Sequence, residues 1–263
     1  MIKIILLSLI IFTIYFLIYK SNNKNLDLLD QYFYNVNDMI NVDLNSIDKY
    51  KYSIYQETVN VYYDLSNWKD WPEKNLYPDV GEWKIFPFFV FGNWILPNCK
   101  KCPIITKFLK NIQGLKVATL SKLSSNMKLY PHNGWASHSN NVIRCHYGLI
   151  VPEGCYVSVS NSDVPLYNMP DEYKLKQYPN KIVEISNNEI IEEIRFTKQF
   201  EWTIFDDSKS HYAHNMSKND RIVLIIDIER PKNIKTGVAV LGDTSELIEL
   251  VNYYKSKNNK LLK

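Results

Sequence analysis

From position 115 onward the chain alternates short runs of β-branched and aromatic residues with breaks at Asn, Gly, Pro or Ser. LKVATLSKL, MKLYP, VIRCHYGLIVP, CYVSVSN, KIVEISN, EIIEEIRF, EWTIFDD and RIVLIIDIERP are eight such runs, each readable as a strand of a buried or half-buried sheet. No helical period separates them, so they predict a sandwich or jelly roll; a parallel sheet would need crossover helices. Upstream the pattern differs. Trp68 to Leu96 is rich in aromatics and punctuated by Pro72, Pro78 and Pro87, which suits short strands and loops. Pro103 to Asn111 predicts a short helix opening on a proline. Residues 28–60 lack a period of two, and Leu28, Leu29, Tyr32 and Phe33 fit one face of a helix. After Pro231 a helix is predicted over Ser245 to Tyr254, with Leu247, Leu250 and Val251 on one face.

The first twenty residues stand apart. Ile4 to Tyr19 carries no charge and is bounded by Lys3, Lys20 and Lys24. As a helix it would cover about 24 Å, close to a membrane span if the lysines snorkel. The residues after it offer no small-residue cleavage site, so an uncleaved signal-anchor is expected rather than a removed signal peptide or a buried helix. Lysine on both flanks leaves the side of the membrane undetermined. The expected organisation is an anchor over 1–20, a linker and helical segment over 21–60, a β domain over 61–235 and a helical tail over 236–263.

Composition narrows the function. The 263 residues include 46% hydrophobic and 22% charged side chains, enough apolar material for a sizeable core. The net charge is +3 with 31 basic and 28 acidic residues scattered along the chain, so no footprint for nucleic acid exists. Eight glycines leave no phosphate-cradling loop, and the 4 cysteines are too few to staple a chain of this size. Cys99-Lys100-Lys101-Cys102 is a lone CxxC without a second pair, which favours a structural role over zinc. Asn215-Met216-Ser217 fits the N-glycosylation triplet, of consequence only for a lumenal domain.

All 5 histidines, His132, His138, His146, His211 and His214, lie within one third of the chain. Neutral imidazole is the commonest protein metal ligand, and histidines gathered among strands suggest a metal site. His132 ends one strand-like run and His211 follows the acidic turn of FDDSKSH, so both sit at strand mouths that a jelly roll brings together. Arg144 and His146 are two apart and share one face of a strand, with Cys145 on the other. Arg221 opens the apolar run RIVLIIDI, where an unpaired charge is costly, so it requires an anionic partner. That partner is either a ligand or an internal carboxylate such as Asp206, Asp207 or Asp227.

The segments PHNG, RCHYGLIVPEGC, WTIFDDSKSH and RIVLIIDIERP, in that order, resemble the aspartyl/asparaginyl β-hydroxylase family, and the likeness runs from about Gly81 to Pro231. That family consists of Fe(II)- and 2-oxoglutarate-dependent oxygenases on a double-stranded β-helix. The resemblance implies a mainly β, cupin-like jelly roll preceded by an N-terminal helical segment and the membrane anchor. It implies that His132 and His211 hold Fe(II) as the catalytic centre, and that Arg144, His146 and Arg221, with Ser121 from the preceding strand, bind 2-oxoglutarate. A guanidinium suits that ligand because its fork meets a carboxylate bidentately.

Non-haem iron enzymes usually add a carboxylate two residues after the first histidine. Gly134 occupies that place, which the resemblance implies because the family uses two histidines and water. Asp206 and Asp207 are readable either as groups that orient His211 or a bound water, or as turn residues. His138 lies in a polar loop expected to shape the substrate entrance, and His214 is expected at the surface or behind the ligands. The implied substrate is the β-carbon of Asp or Asn in a protein, with a lipid acyl chain as the alternative, and a membrane partner suits either. Two rivals are a catalytically silent jelly-roll binding module and a cupin-like metal hydrolase, which would need a third protein ligand.

Overall fold

A computed structural model describes residues 28–161, apart from 65 and 67, and 181–261, apart from 187 and 188. The expected anchor over residues 1–20 lies outside the described residues. Among the described residues, no helix is long and apolar enough to cross a membrane.

The chain forms two compact units, one of residues 1–30 with 232–235 and one of residues 31–231 with 236–263. In the first, Leu29 and Ile234 form a parallel bridge.

The second unit is mainly antiparallel β. Its strands are β1 (Phe33–Tyr34), β2 (Lys69–Asp70), β3 (Trp83–Val90), β4 (Asn93–Trp94), β5 (Leu115–Leu123), β6 (Val142–Ile150), β7 (Cys155–Ser160), β8 (Lys181–Ser186), β9 (Glu189–Phe196), β10 (Trp202–Phe205), β11 (Ser210–Asn215) and β12 (Arg221–Glu229). Its helices are α1 (Lys51–Tyr62), α2 (Leu96–Lys101), α3 (Pro103–Lys110), α4 (Ala136–Ser139) and α5 (Ser245–Leu261). One sheet runs β1-β10-β6-β12-β5-β3-β2, with β4 on β3, and the other runs β11-β7-β9-β8. Leu123 and Phe205 of the large sheet pack with Val157, Val159 and Ala213 of the small one in a single core. The two inner faces therefore close on one another.

Most predicted strands form, because a run of β-branched residues fits a pleated surface buried on one or both sides. β12 is buried along eight of its nine residues, as an apolar run paired on both edges should be. Two expectations are corrected, and one strand forms where no run marked it. Phe33 and Tyr34 lie in β1 against β10 rather than on a helix face; the residues that do become helical follow, as two 3₁₀ turns and α1. MKLYP supplies only an isolated bridge, Lys128 to His214. SHYAHN, which lacks any β-branched residue, forms β11, because β7 supplies a full ladder of partners from Ser210–Ser160 to Asn215–Cys155.

The two-residue strand period sorts the chemistry. On β12, Arg221, Ile225 and Asp227 share the inner face. Register then places His146 beside Ile225 and Arg144 beside Asp227, while Thr203 and Phe205 of β10 flank them on the other edge.

Candidate active site between the sheets

The two histidines are brought together by backbone pairing before any ligand is considered. His132 and His211 face each other across an antiparallel bridge, with His132 N donating to His211 O at 3.0 Å and His211 N donating to His132 O at 2.8 Å. Their ring centroids lie 4.4 Å apart, close enough for both rings to reach one ion. His132 Nδ1 donates to the Tyr130 carbonyl at 2.8 Å, and His211 Nδ1 donates to the Lys209 carbonyl at 2.9 Å. A carbonyl can only accept, so each Nε2 is left with its lone pair, the form a metal requires. Burial, reinforced by the neighbouring His211, lowers His132 to about 3. Burial and the Arg144 charge lower His211 to about 4. Both imidazoles are neutral at physiological pH.

Asp207 lies behind this pair, 1% exposed, with Oδ1 3.3 Å from His211 Nε2 and in ion-pair contact with Arg144 Nη1. Neither of its oxygens has a well-directed hydrogen-bond donor. Asp207 therefore approaches one of the two imidazoles from a position already held by the Arg144 guanidinium. Gly134 is fixed by the same carboxylate, since a Cβ there would lie 2.2 Å from Asp207 Oδ2 and 2.6 Å from Ser139 Cβ. The place at which a facial triad's own carboxylate would start is thus filled from across the turn.

Arg221 is 2% exposed, and its closest polar partners are Thr197 Oγ1 at 3.3 Å and, at the limit of a hydrogen bond, His146 Nδ1 at 3.5 Å. Its Nε has no partner. The internal carboxylates weighed as its counter-ions are committed elsewhere. Asp206 is gripped by both Nη atoms of Arg230 at 2.7 and 3.0 Å. Asp227 takes Nε and Nη2 of Arg144, each at 2.8 Å, and Asp207 takes the third nitrogen of Arg144. Burial lowers Arg221 from the usual guanidinium range. Burial and the Arg221 charge likewise keep His146 neutral, and its Nε2 also lacks a partner.

Arg144, His146, Arg221 and Ser121 line one cavity with both histidines; Phe205, Leu123 and Val157 give it apolar walls. Within it Arg144 is doubly neutralised and Arg221 is not. Ser121 Oγ accepts Trp83 Nε1 at 3.1 Å. The polar atoms that line this cavity without partners are of the kind a doubly charged acid would satisfy.

The matched residues 49–167 and 178–231 fit the family model described as Aspartyl/Asparaginyl beta-hydroxylase, which covers more than half of the chain. The chain belongs to the aspartyl/asparaginyl β-hydroxylase family. It is 28% identical over 149 residues to an ornithine lipid ester-linked acyl 2-hydroxylase of Rhizobium tropici, covering 57% of this chain and 42% of that protein. It is 36% identical over 85 residues to aspartate beta-hydroxylase domain-containing protein 2 of Rattus norvegicus, covering 30% and 24%. The chain therefore spans less than half the length of each. Among solved structures, the non-heme alpha ketoglutarate dependent epimerase SnoN from nogalamycin biosynthesis aligns over 74% of this chain and 86% of its own, at 11% identity and a TM-score of 0.41.

The remaining candidates fall outside this cavity. His138 is not in an exposed loop: it is buried in α4, with Nε2 2.8 Å from Asp227 Oδ2. His214 is buried as well, its Nδ1 3.1 Å from the Tyr156 hydroxyl. The 4 cysteines are free and buried, and burial raises the Cys145 thiol well above its usual range. Among the described residues no three His, Cys, Asp or Glu side chains form a metal-binding group. The Asn215 amide is fully buried and donates to the carbonyls of Leu123, Ser124 and Asn219, so the glycosylation triplet has no accessible nitrogen. Asp227, weighed on sequence as a counter-ion for Arg221, instead anchors both Arg144 and His138.

Proposed function

We propose that this chain is a 2-oxoglutarate-dependent dioxygenase that hydroxylates an unactivated C–H bond, built on a double-stranded β-helix over residues 61–235. One observation carries the reading: a buried guanidinium without a carboxylate faces the same cavity as two neutral histidines whose Nε2 lone pairs are free to ligate. A charge left this way costs on the order of several kcal/mol and persists where a ligand supplies the counter-ion.

The donor set fits the cofactors. His132 and His211 would hold Fe(II), and Arg221 would take the far carboxylate of 2-oxoglutarate through its fork. When bound, the pair supplies the oxidising equivalents from O2, the keto acid leaving as succinate and CO2 while the second oxygen atom enters the substrate. The chain's own work is placement. The carbonyls of Tyr130 and Lys209 fix both imidazole tautomers. Neutral His146 lies against Arg221 without competing for its charge. Asp227 holds Arg144 through two hydrogen bonds, which directs its third nitrogen to Asp207 beside His211. Phe205, Leu123 and Val157 keep bulk water from the walls. Asp207 is suited to hold a water or proton beside the ion.

The presence of all of His132, Arg144, His146, His211 and Arg221 in one cavity supports an enzyme over a silent binding module. For the substrate, the family's own name supports the β-carbon of Asp or Asn in a protein, and the Rhizobium relative supports an acyl chain. The apolar residues 1–20 are proposed as the membrane anchor. The test is anaerobic titration of the chain with Fe(II) and 2-oxoglutarate, then succinate release on admission of O2. Failure to bind 2-oxoglutarate under these conditions would refute the reading.

A further inference from the structure

Two cavities adjoin on the inner face of the large sheet, and they differ in what they leave unsatisfied. The histidine cavity is lined by polar side chains with partnerless atoms, Arg221 Nε and His146 Nε2. Its neighbour shares Trp83, Ser121, Arg144 and Ile225 with it and has a floor of Ile85 and Pro87 from β3 with Val117 from β5. Trp71 and Trp135, with Leu247 and Leu250 of α5, add to its lining.

In this second chamber the polar side chains satisfy one another. Asp227 takes two nitrogens of Arg144 and Nε2 of His138, and Asp207 takes the third nitrogen of Arg144. Thr119 Oγ1 donates to the Leu120 carbonyl at 2.8 Å, and Ser121 Oγ accepts Trp83 Nε1. Among the described residues, no buried side-chain nitrogen or oxygen lining this chamber lacks a partner. A water needs two to four polar partners, so an apolar cavity of this kind stays dry. A carboxylate is excluded too, because no cation on the wall is left to receive it.

Volume sets the upper limit. The chamber measures about 60 Å³, where a single water takes about 10–15 Å³, so it has room for about four waters or a diatomic molecule or two. Its walls are braced at this width. Glu73, 5% exposed, accepts Trp71 Nε1 and Trp135 Nε1, each at 3.2 Å, and Thr244 Oγ1 at 3.0 Å. Trp71 stacks on Trp83 with centroids 4.5 Å apart, and Trp83 lies 6.1 Å from the His132 ring.

A guest that is small, apolar and without hydrogen-bonding needs is a gas molecule, and the dioxygenase reading consumes one. We propose that this chamber takes up dioxygen from water and passes it across the shared wall of Trp83, Ser121, Arg144 and Ile225 to the histidine cavity. Passage to the histidines rests on the dioxygenase reading; occupancy of the chamber does not.

Dissolved O2 is paramagnetic and shortens the relaxation of methyl protons near it, so the metal-free full-length chain, methyl-labelled, is compared by NMR under O2 and under N2. Ile85 and Leu247 are expected to show about tenfold more enhancement than Val61 and Ile112, which match them in exposure but lie outside the chamber. The factor takes each oxygen atom leaving water as equivalent to one methylene. Val117→Phe and Leu247→Phe fill the chamber from two different elements. Each is expected to abolish the enhancement at Ile85 and to raise the KM for O2 in succinate release by the same factor, while 2-oxoglutarate binding with Mn(II) stays unchanged. Urea midpoints show which variant keeps its fold. Enhancement at Ile85 no greater than at Val61 overturns the proposal, as does an unchanged KM for O2 in a folded variant that has lost the enhancement. Enhancement at Ile85 in a chain that fails to bind 2-oxoglutarate overturns the dioxygenase reading and leaves the chamber standing as an O2 site.

Discussion

Replacing Arg221 by methionine should move two measured quantities in opposite directions. In the chain without ligands, Arg221 is a guanidinium 2% exposed, held by one hydrogen bond to Thr197 and a marginal one to His146. Methionine fills similar volume without a charge to desolvate, so the free chain should gain about 1–4 kcal/mol, the range found when buried ionic groups give way to packed apolar ones. The loaded protein should lose instead. A buried charge pair broken by removal of one partner costs about 3–5 kcal/mol, and at 1.4 kcal/mol per decade 2-oxoglutarate should bind about a hundredfold to several-thousandfold more weakly. Arg221→Lys keeps the charge but loses the fork, so it should chiefly weaken 2-oxoglutarate, by about tenfold. Urea unfolding of the metal-free proteins and calorimetric titration of 2-oxoglutarate with Mn(II) measure the two effects. Strong destabilisation of the free chain by Arg221→Met would refute the reasoning, for it would mean that the guanidinium already has an internal counter-ion.

His211→Ala removes one of two imidazoles and should abolish succinate production while leaving the β11 ladder, and hence the circular dichroism, intact; unchanged turnover would remove the iron assignment. Gly134→Ala should destabilise the fold by about 1–3 kcal/mol, because its Cβ lands 2.2 Å from Asp207 Oδ2, and Gly134→Asp, which supplies the facial-triad carboxylate, should be worse rather than better; urea midpoints decide both. Burial opposes ionisation of Asp227, yet the Arg144 guanidinium and His138 hold it below its ordinary 3.8. Its stabilising contribution is therefore complete above pH 3.8 and is lost as pH falls below that value. Asp227→Asn should cost about 3–5 kcal/mol at about pH 7 and distinctly less at about pH 3, as read by urea unfolding; a difference independent of pH would count against the pair.

The linear sequence by itself determined most of the strands, because β-branched runs separated by breakers fit a buried pleated surface, and it determined which side chains share a face. The period of two placed Arg144 with His146 and set Arg221 on an otherwise apolar strand that demanded a counter-ion. Tertiary structure alone decided what that counter-ion is not. Asp206, Asp207 and Asp227 were equal candidates on paper, and only the registers of β6, β10 and β12 assign them to Arg230 and Arg144. β11 was likewise invisible, since SHYAHN has no intrinsic preference for a strand and is made one by β7. The same holds for the buried placements of His138 and His214, and for the chamber whose wall is gathered from Trp71, Trp135 and α5. Local pattern records what each residue favours; which distant group satisfies it is a property of how the sheets close.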